Sequence, residues 1–213
     1  DPGVLDTHTA EVDWGDGSAS AGNVVETGGS GVVSARHAYG DNGLYTARVT
    51  VRDDDGGNSS SAFKVTIANA APSLAALPDL NVQEGVFIEL PPAVFTDPGF
   101  DNPSGNTQEN FMAVIDWGDG TAEPAVDISL AEVAGREGVP TSGTIQAKHA
   151  YGDNGAYIAK VTIQDDDGGA DSKTFQILVA NVAPTVSVGS DTVSGAGGML
   201  WVGGGVPVRN IQA

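Results

Sequence analysis

The chain has 213 residues, with 28 Asp and Glu against nine Lys and Arg, for a net charge of −19. Nothing in so acidic a chain neutralises phosphates, which excludes nucleic-acid binding and disfavours an anionic membrane surface. The lack of Cys excludes disulfides and thiol chemistry, and no apolar run nears the roughly 18 residues of a membrane span.

From the N-terminus, the chain begins at Asp1 without Met, so a processed chain or an excised piece is expected. Asp1-Pro2-Gly3 returns as Asp97-Pro98-Gly99. Next, Ala10, Val12 and Trp14 alternate with Glu11 and Asp13, the two-residue period of a strand with one buried face. It runs into Asp13-Trp14-Gly15-Asp16-Gly17, which returns as Asp116-Trp117-Gly118-Asp119-Gly120. His37-Ala38-Tyr39-Gly40-Asp41-Asn42-Gly43 returns unchanged at His149–Gly155, and 16 of 21 positions from His37 to Gly57 match. Within that stretch Tyr45, Ala47, Val49 and Val51 share one strand face, as do Tyr157, Ala159, Val161 and Ile163. Asp53-Asp54-Asp55-Gly56-Gly57 and Asp165-Asp166-Asp167-Gly168-Gly169 follow. Further strands put Phe63, Val65 and Ile67, and later Phe175, Ile177 and Val179, on their inner faces.

The offset is 112 residues at the well-matched end and 103 at the Trp motif, so the second copy is longer around Ile128–Gly143. Asn69-Ala70-Ala71-Pro72 and Asn181-Val182-Ala183-Pro184 end strands and stiffen the links. The expected units are therefore repeat 1 at 1–71, repeat 2 at 72–183 and a Gly-rich tail at 184–213. Ser73–Thr96, with strand material in Phe87, Ile88 and Leu90, has no counterpart before repeat 1. Short strands broken by Gly, Asn and Asp turns, without a helical period, predict an all-β chain of tandem antiparallel β-sandwiches. The first should lack its opening strand.

The order Trp-Gly-Asp-Gly, His-Ala-Tyr, Gly-x-Tyr-x-x-x-Val-Thr, Asp-Asp-Asp-Gly-Gly resembles the polycystic-kidney-disease (PKD) domain family across most of 1–183. Asp-Trp-Gly-Asp-Gly lacks the extra aromatic usual in that family. The resemblance implies an immunoglobulin-like sandwich of bacterial exported or surface proteins, serving as spacer, adhesion or accessory module. It also implies calcium binding in some members.

Each motif has a structural reading beside a functional one. Gly15-Asp16-Gly17 closes a tight turn, and Trp14 and Trp117 have the parity of core residues. Tyr45 and Tyr157 suit the corner of a sandwich. His37 and His149 fit a supporting role beside Tyr39 and Tyr151, with metal ligation the alternative. Asp41-Asn42-Gly43 and Asp153-Asn154-Gly155 read as hairpin turns. Three adjacent carboxylates repel one another, and a hard cation with six to eight oxygen ligands removes that conflict. The expected calcium ligands are Asp53, Asp54, Asp55, Asp165, Asp166 and Asp167, with Asp16 and Asp119 as further contributors. The alternative is a solvated acidic hairpin closed by its two glycines.

No catalytic motif occurs, and the acidic motifs recur identically in both copies, so no enzyme is expected. The leading expectation is a structural or adhesive segment of an extracellular or cell-surface protein. Its partners are neighbouring repeats, or identical subunits joined head to tail through a tail strand bearing Val186, Val188, Leu200 and Trp201. The rival is an accessory module that binds extracellular polysaccharide or protein through Phe100, Phe111 and Trp201.

Overall fold

The computed structural model describes residues 5–121 and 128–186. Every named element is a β-strand, and among the described residues no helix is long and apolar enough to cross a membrane. The first repeat holds β1 (His8–Asp13), β2 (Ala19–Thr27), β3 (Ser30–Ser34), β4 (Gly43–Asp53) and β5 (Asn58–Ile67). They pair antiparallel in the order β3-β2-β1-β4-β5. Strand β2 serves both neighbours in turn: Ala19–Gly22 pair with β1, and Asn23–Thr27 turn away to pair with β3.

The second repeat adds β6 (Ser73–Leu74), β7 (Leu80–Gln83), β8 (Ile88–Glu89), β9 (Ala93–Asp97) and β10 (Phe111–Asp116). It continues with β11 (Ile128–Val133), β12 (Thr141–His149), β13 (Gly155–Asp165) and β14 (Ala170–Ala180). One sheet runs β10-β13-β14-β7 and the other β11-β12-β9-β6, with β8 also on β12. The only departure from the antiparallel expectation among these pairings is β7, which lies parallel to β14. Two sheets facing each other enclose a full core, in which Phe95, Ile115, Trp117, Ile145, Val161, Ile163 and Ile177 are essentially inaccessible.

The predicted alternation holds on β1, β12, β13 and β14, because one face must meet the core and the other water. It fails on β5, where Asn58–Lys64 are exposed on both faces, Phe63 among them, contrary to the inner face expected for it. Ala47 and Ala159 are buried while Arg48 and Lys160 are exposed. The turns differ from expectation in one respect. Asp41-Asn42-Gly43 and Asp153-Asn154-Gly155 do not close hairpins: β3 and β4 are not paired with each other, and β12 and β13 lie in different sheets, so the second segment carries the chain from one layer to the other. The hairpins are closed instead by the Asp triplets, which join β4 to β5 and β13 to β14.

The first repeat has a smaller core of Val12, Trp14 and Ala47, with Tyr39, Val49 and Val65 packed against it. Between its β2–β3 arm and its main sheet lies a cleft of about 650 Å³, reached by Val24, Val33 and Val51. The matching residues of the second repeat, Ile145 for Val33 and Ile163 for Val51, are fully buried under the second sheet.

Candidate functional site

Each repeat is braced by the same aromatic stack. His37 lies flat on Trp14 at 5.0 Å and edge-on to Tyr39, which stacks on Tyr45. His149, Trp117, Tyr151 and Tyr157 repeat the arrangement. The Tyr39 and Tyr151 hydroxyls donate to the carbonyls of Trp14 and Trp117. The Tyr45 hydroxyl donates to the Asp41 carbonyl and that of Tyr157 to the Asp153 carbonyl, tying each corner. Both Trp side chains are inward, as their parity predicts.

This stack occupies Asp16 and Asp119. His37 Nε2 donates to Asp16 Oδ2 (2.6 Å), and the Ser18 amide and hydroxyl donate to Asp16 Oδ1. In the second repeat His149 Nε2 donates to Asp119 Oδ2, and Thr121 supplies the amide and hydroxyl. Burial pushes the Asp16 carboxyl up, but the hydrogen bonds from Ser18 and His37 outweigh it and hold the group below its ordinary range. For Asp119 the bonds from Thr121 and His149 do the same. With their oxygens so engaged, the two carboxylates serve the turns and the His rings.

The triplets divide by position. Asp53 Oδ1 accepts the amides of Asp55 and Gly57, and Asp165 Oδ1 those of Asp167 and Gly169. The first Asp of each triplet therefore closes its own hairpin, with Gly56 and Gly168 at φ of +95° and +90°. The middle Asp reaches the start of a neighbouring strand: Asp54 accepts the Thr7 amide, and Asp166 the amide and side chain of Asn110. Asp54 and Asp55 are exposed, and no close group of three acidic side chains among the described residues includes them.

The second triplet has company. Glu109, Asp166 and Asp167 bring carboxylate oxygens within 4.8 Å of one another. Glu109 is 6% exposed and Asp97, beside it, 1%. Glu109 Oε1 and Asp97 Oδ2 are buried without a hydrogen-bond partner. The Cα of Gly99 lies against both carboxylates, and a side chain there would overlap Glu109 Oε2. Burial first, then the charges of Asp97, Asp166, Asp41 and Asp165, push the Glu109 carboxyl up to about 8. Asp41 of the first repeat is also affected: burial first, then the charges of Asp167 and Asp166, push its carboxyl above its ordinary range.

The junction is held by backbone contact. The Phe100 amide donates to the Gly40 carbonyl at 2.8 Å, and Asn102 Nδ2 donates to the Asp16 carbonyl and Oδ2. Ser104 packs against Gly17, where a Cβ would strike backbone, and Phe100 covers Gly40. From the linker, Asn69 Nδ2 donates to Asp165 Oδ2 and the Leu74 amide to Asp171.

Glu109 was not among the expected ligands. A signal for it exists: Asp6 and Glu109 each stand eight residues before their Trp. Phe100, expected on an exposed aromatic strip, is 9% exposed and buried at the junction, and Phe111 is half-buried against Phe95. Neither offers a flat face to a sugar. Val186 is exposed, whereas Val188, Leu200 and Trp201 lie outside the described residues.

Residues 1–67 match the PKD domain. No curated protein matches the chain. Among solved structures, the PKD domain of an M14-like peptidase from Thermoplasmatales archaeon SCGC AB-540-F20 is 20% identical. The alignment covers 53% of this chain and 98% of that one, with a TM-score of 0.34. The human Desmocollin-1 ectodomain is 11% identical over 67% of this chain and 29% of its own, at 0.36. Clostridium thermocellum CbhA fibronectin(III)-like modules are 15% identical over 83% and 86%, at 0.30. The family match and the all-β architecture agree: a PKD domain is found over residues 1–67.

Proposed function

We propose that this chain is a non-catalytic structural and adhesive segment of an extracellular protein, a short rod of β-sandwich repeats stiffened by calcium. The observation that carries this reading is the junction: the loop of Phe100 to Asn106 seats backbone against backbone on Gly17 and Gly40 of the preceding repeat. Domains joined only by a linker move freely, whereas a junction with buried main-chain hydrogen bonds sets an angle. PKD domains are typically extracellular, and carboxylate-rich turns suit a calcium-rich exterior. The chain has no Cys, so Thr66→Cys with Gln146→Cys gives two unique spin-label sites, one in each repeat. A single narrow interlabel distance is expected, and a broad distribution would overturn the rod.

A second reading, a filament subunit joined head to tail by strand donation, is favoured by the open first repeat. Among the described residues the outer edge of β5 has no strand partner, whereas β14 pairs with β7. An unpaired edge beside an apolar cleft accepts an added strand. If the chain assembles and assembly survives deletion of residues 185–213, this second reading is refuted.

A further inference from the structure

We propose that residues 184–202 of a second copy of this chain dock on the open face of the first repeat, with Leu200-Trp201-Val202 adding an antiparallel strand along residues 35–37. This rests on the filament reading above and deepens it by naming the donor, the register and the residues that carry the contact.

The second repeat shows what the open face of the first accepts. Its opening segment buries Leu74, Ile88 and Leu90 in the core. Ile88 pairs with His149 and Glu89 with Lys148, the Leu90 amide donates to the Ala147 carbonyl, and the Gly85 amide donates to the Tyr151 carbonyl. In the first repeat the equivalents of Ala147, Lys148 and His149 are Ala35, Arg36 and His37. Among the described residues no strand pairs with these three, and Ala35 is exposed where Ala147 is buried. An unpaired backbone edge beside apolar surface takes an added strand.

The tail carries a matching segment. At the constant offset of 112 residues, Pro72, Leu74, Asp79, Gly85, Ile88 and Leu90 align without a gap with Pro184, Val186, Asp191, Gly197, Leu200 and Val202. Each pair is identical or exchanges one aliphatic residue for another. These positions have roles in the second repeat: Leu74, Ile88 and Leu90 are core, Asp79 Oδ1 accepts the Gln176 amide, and Gly85 has a φ of +72°. Thr192 and Ser194 align with Leu80 and Val82, which are only half-buried, so the apolar contact rests on Val186, Leu200 and Val202. Trp201 aligns with Glu89, which is exposed and pairs with Lys148 at 3.2 Å. The residue opposite is then Arg36, an exposed cation that an indole face attracts.

Reach makes the donor a second copy. The first repeat is tied by Asn69 to Asp165 at one end of β13, whereas Val179 pairs with Gly155 at the other end. The Val182 amide is held there by Glu84 Oε1. Val186 follows four residues later, a span of at most about 14 Å. The 11 residues of β13 extend over roughly 36 Å. Val186 therefore falls short of the first repeat of its own chain, and a first repeat arriving at the far end has no such limit. A contact of this kind does not close on itself, so it propagates.

The test is sedimentation of the 213-residue chain over a range of concentrations, joined to cross-linking between chains that each carry one introduced Cys. Wild type should assemble as concentration rises. Leu200→Asp should abolish assembly, and Arg36→Ala should weaken it about two- to fivefold. When dilute and monomeric, Leu200→Asp should melt with wild type, which separates a lost contact from a misfolded chain. Chains bearing Arg36→Cys mixed with chains bearing Trp201→Cys should form the mixed disulfide, because opposite residues on paired strands lie within its reach. Wild type that stays monomeric at millimolar chain overturns this proposal and the filament reading together. Assembly lost on deleting residues 185–213 but kept in Leu200→Asp overturns the register and leaves the filament reading standing. Assembly without the mixed disulfide, or with more of it from Leu200→Cys than from Trp201→Cys, overturns the pairing of Trp201 with Arg36.

Discussion

Phe63 and Phe175 occupy the same register in the two repeats, opposite Ala47 and Ala159, yet Phe63 is 48% exposed and Phe175 is 3% exposed. The strands are equivalent, and what differs is the layer above them. In the second repeat β6, β9 and β12 complete a facing sheet, and among the described residues the first repeat has only the β2–β3 arm in that place. Phe175→Ala should therefore cost about 3–5 kcal/mol, the usual range for emptying a large core site. Phe63→Ala should cost less than about 1 kcal/mol. Denaturant unfolding of both variants checks this, and equal losses would place a second layer over Phe63.

Trp14→Ala and Trp117→Ala should each destabilise their own repeat by about 3–5 kcal/mol. Trp14 Nε1 donates to Ser20 Oγ at 3.0 Å, so Ser20→Ala should cost a further measurable amount, about 1 kcal/mol. Emission typical of fully hydrated indoles in the folded chain would contradict the burial of both rings.

Gly40 and Gly152 close the same motif, but only Gly40 is covered, by Phe100. Gly40→Ala should push Phe100 away and broaden the distance between repeats. Gly152→Ala meets open space and should be neutral, or stabilising by up to about 1 kcal/mol through the unfolded chain. Interlabel distances and melting temperatures distinguish the pair.

The Asp119 carboxyl sits below its ordinary value of 3.8 in the folded chain: burial opposes the shift, and the Thr121 and His149 hydrogen bonds prevail. A depressed folded value means that its stabilisation is complete above pH 3.8 and is lost as pH falls through the lower folded value. Asp119→Asn should lower stability at neutral pH and flatten its loss in acid. An unchanged acid limb in equilibrium unfolding from pH 6 to pH 2 would show that Asp119 carries none of it.

Calcium at about a hundred times its dissociation constant should raise stability by about 2.7 kcal/mol per site. Melts in calcium and in chelator that superimpose would refute calcium stabilisation at that concentration.

The sequence by itself determined the strands, their inward faces and their recurrence. A two-residue period leaves no choice of face once one side is apolar, so the placing of Trp14, Ala47, Trp117 and Ala159 follows from local order. The glycines of the triplets likewise fixed the hairpins. Only the tertiary structure decided which strands share a sheet, and so made Asp153-Asn154-Gly155 a crossing between layers. It alone set Phe100 against Gly40, across 60 positions, and buried Glu109 beside Asp97. Comparing one repeat with the other could not reveal that site, because the contact joins unlike parts of two copies. The Asp triplets recur because each hairpin needs its turn, but among the described residues the carboxylate cluster arises once, in the second repeat.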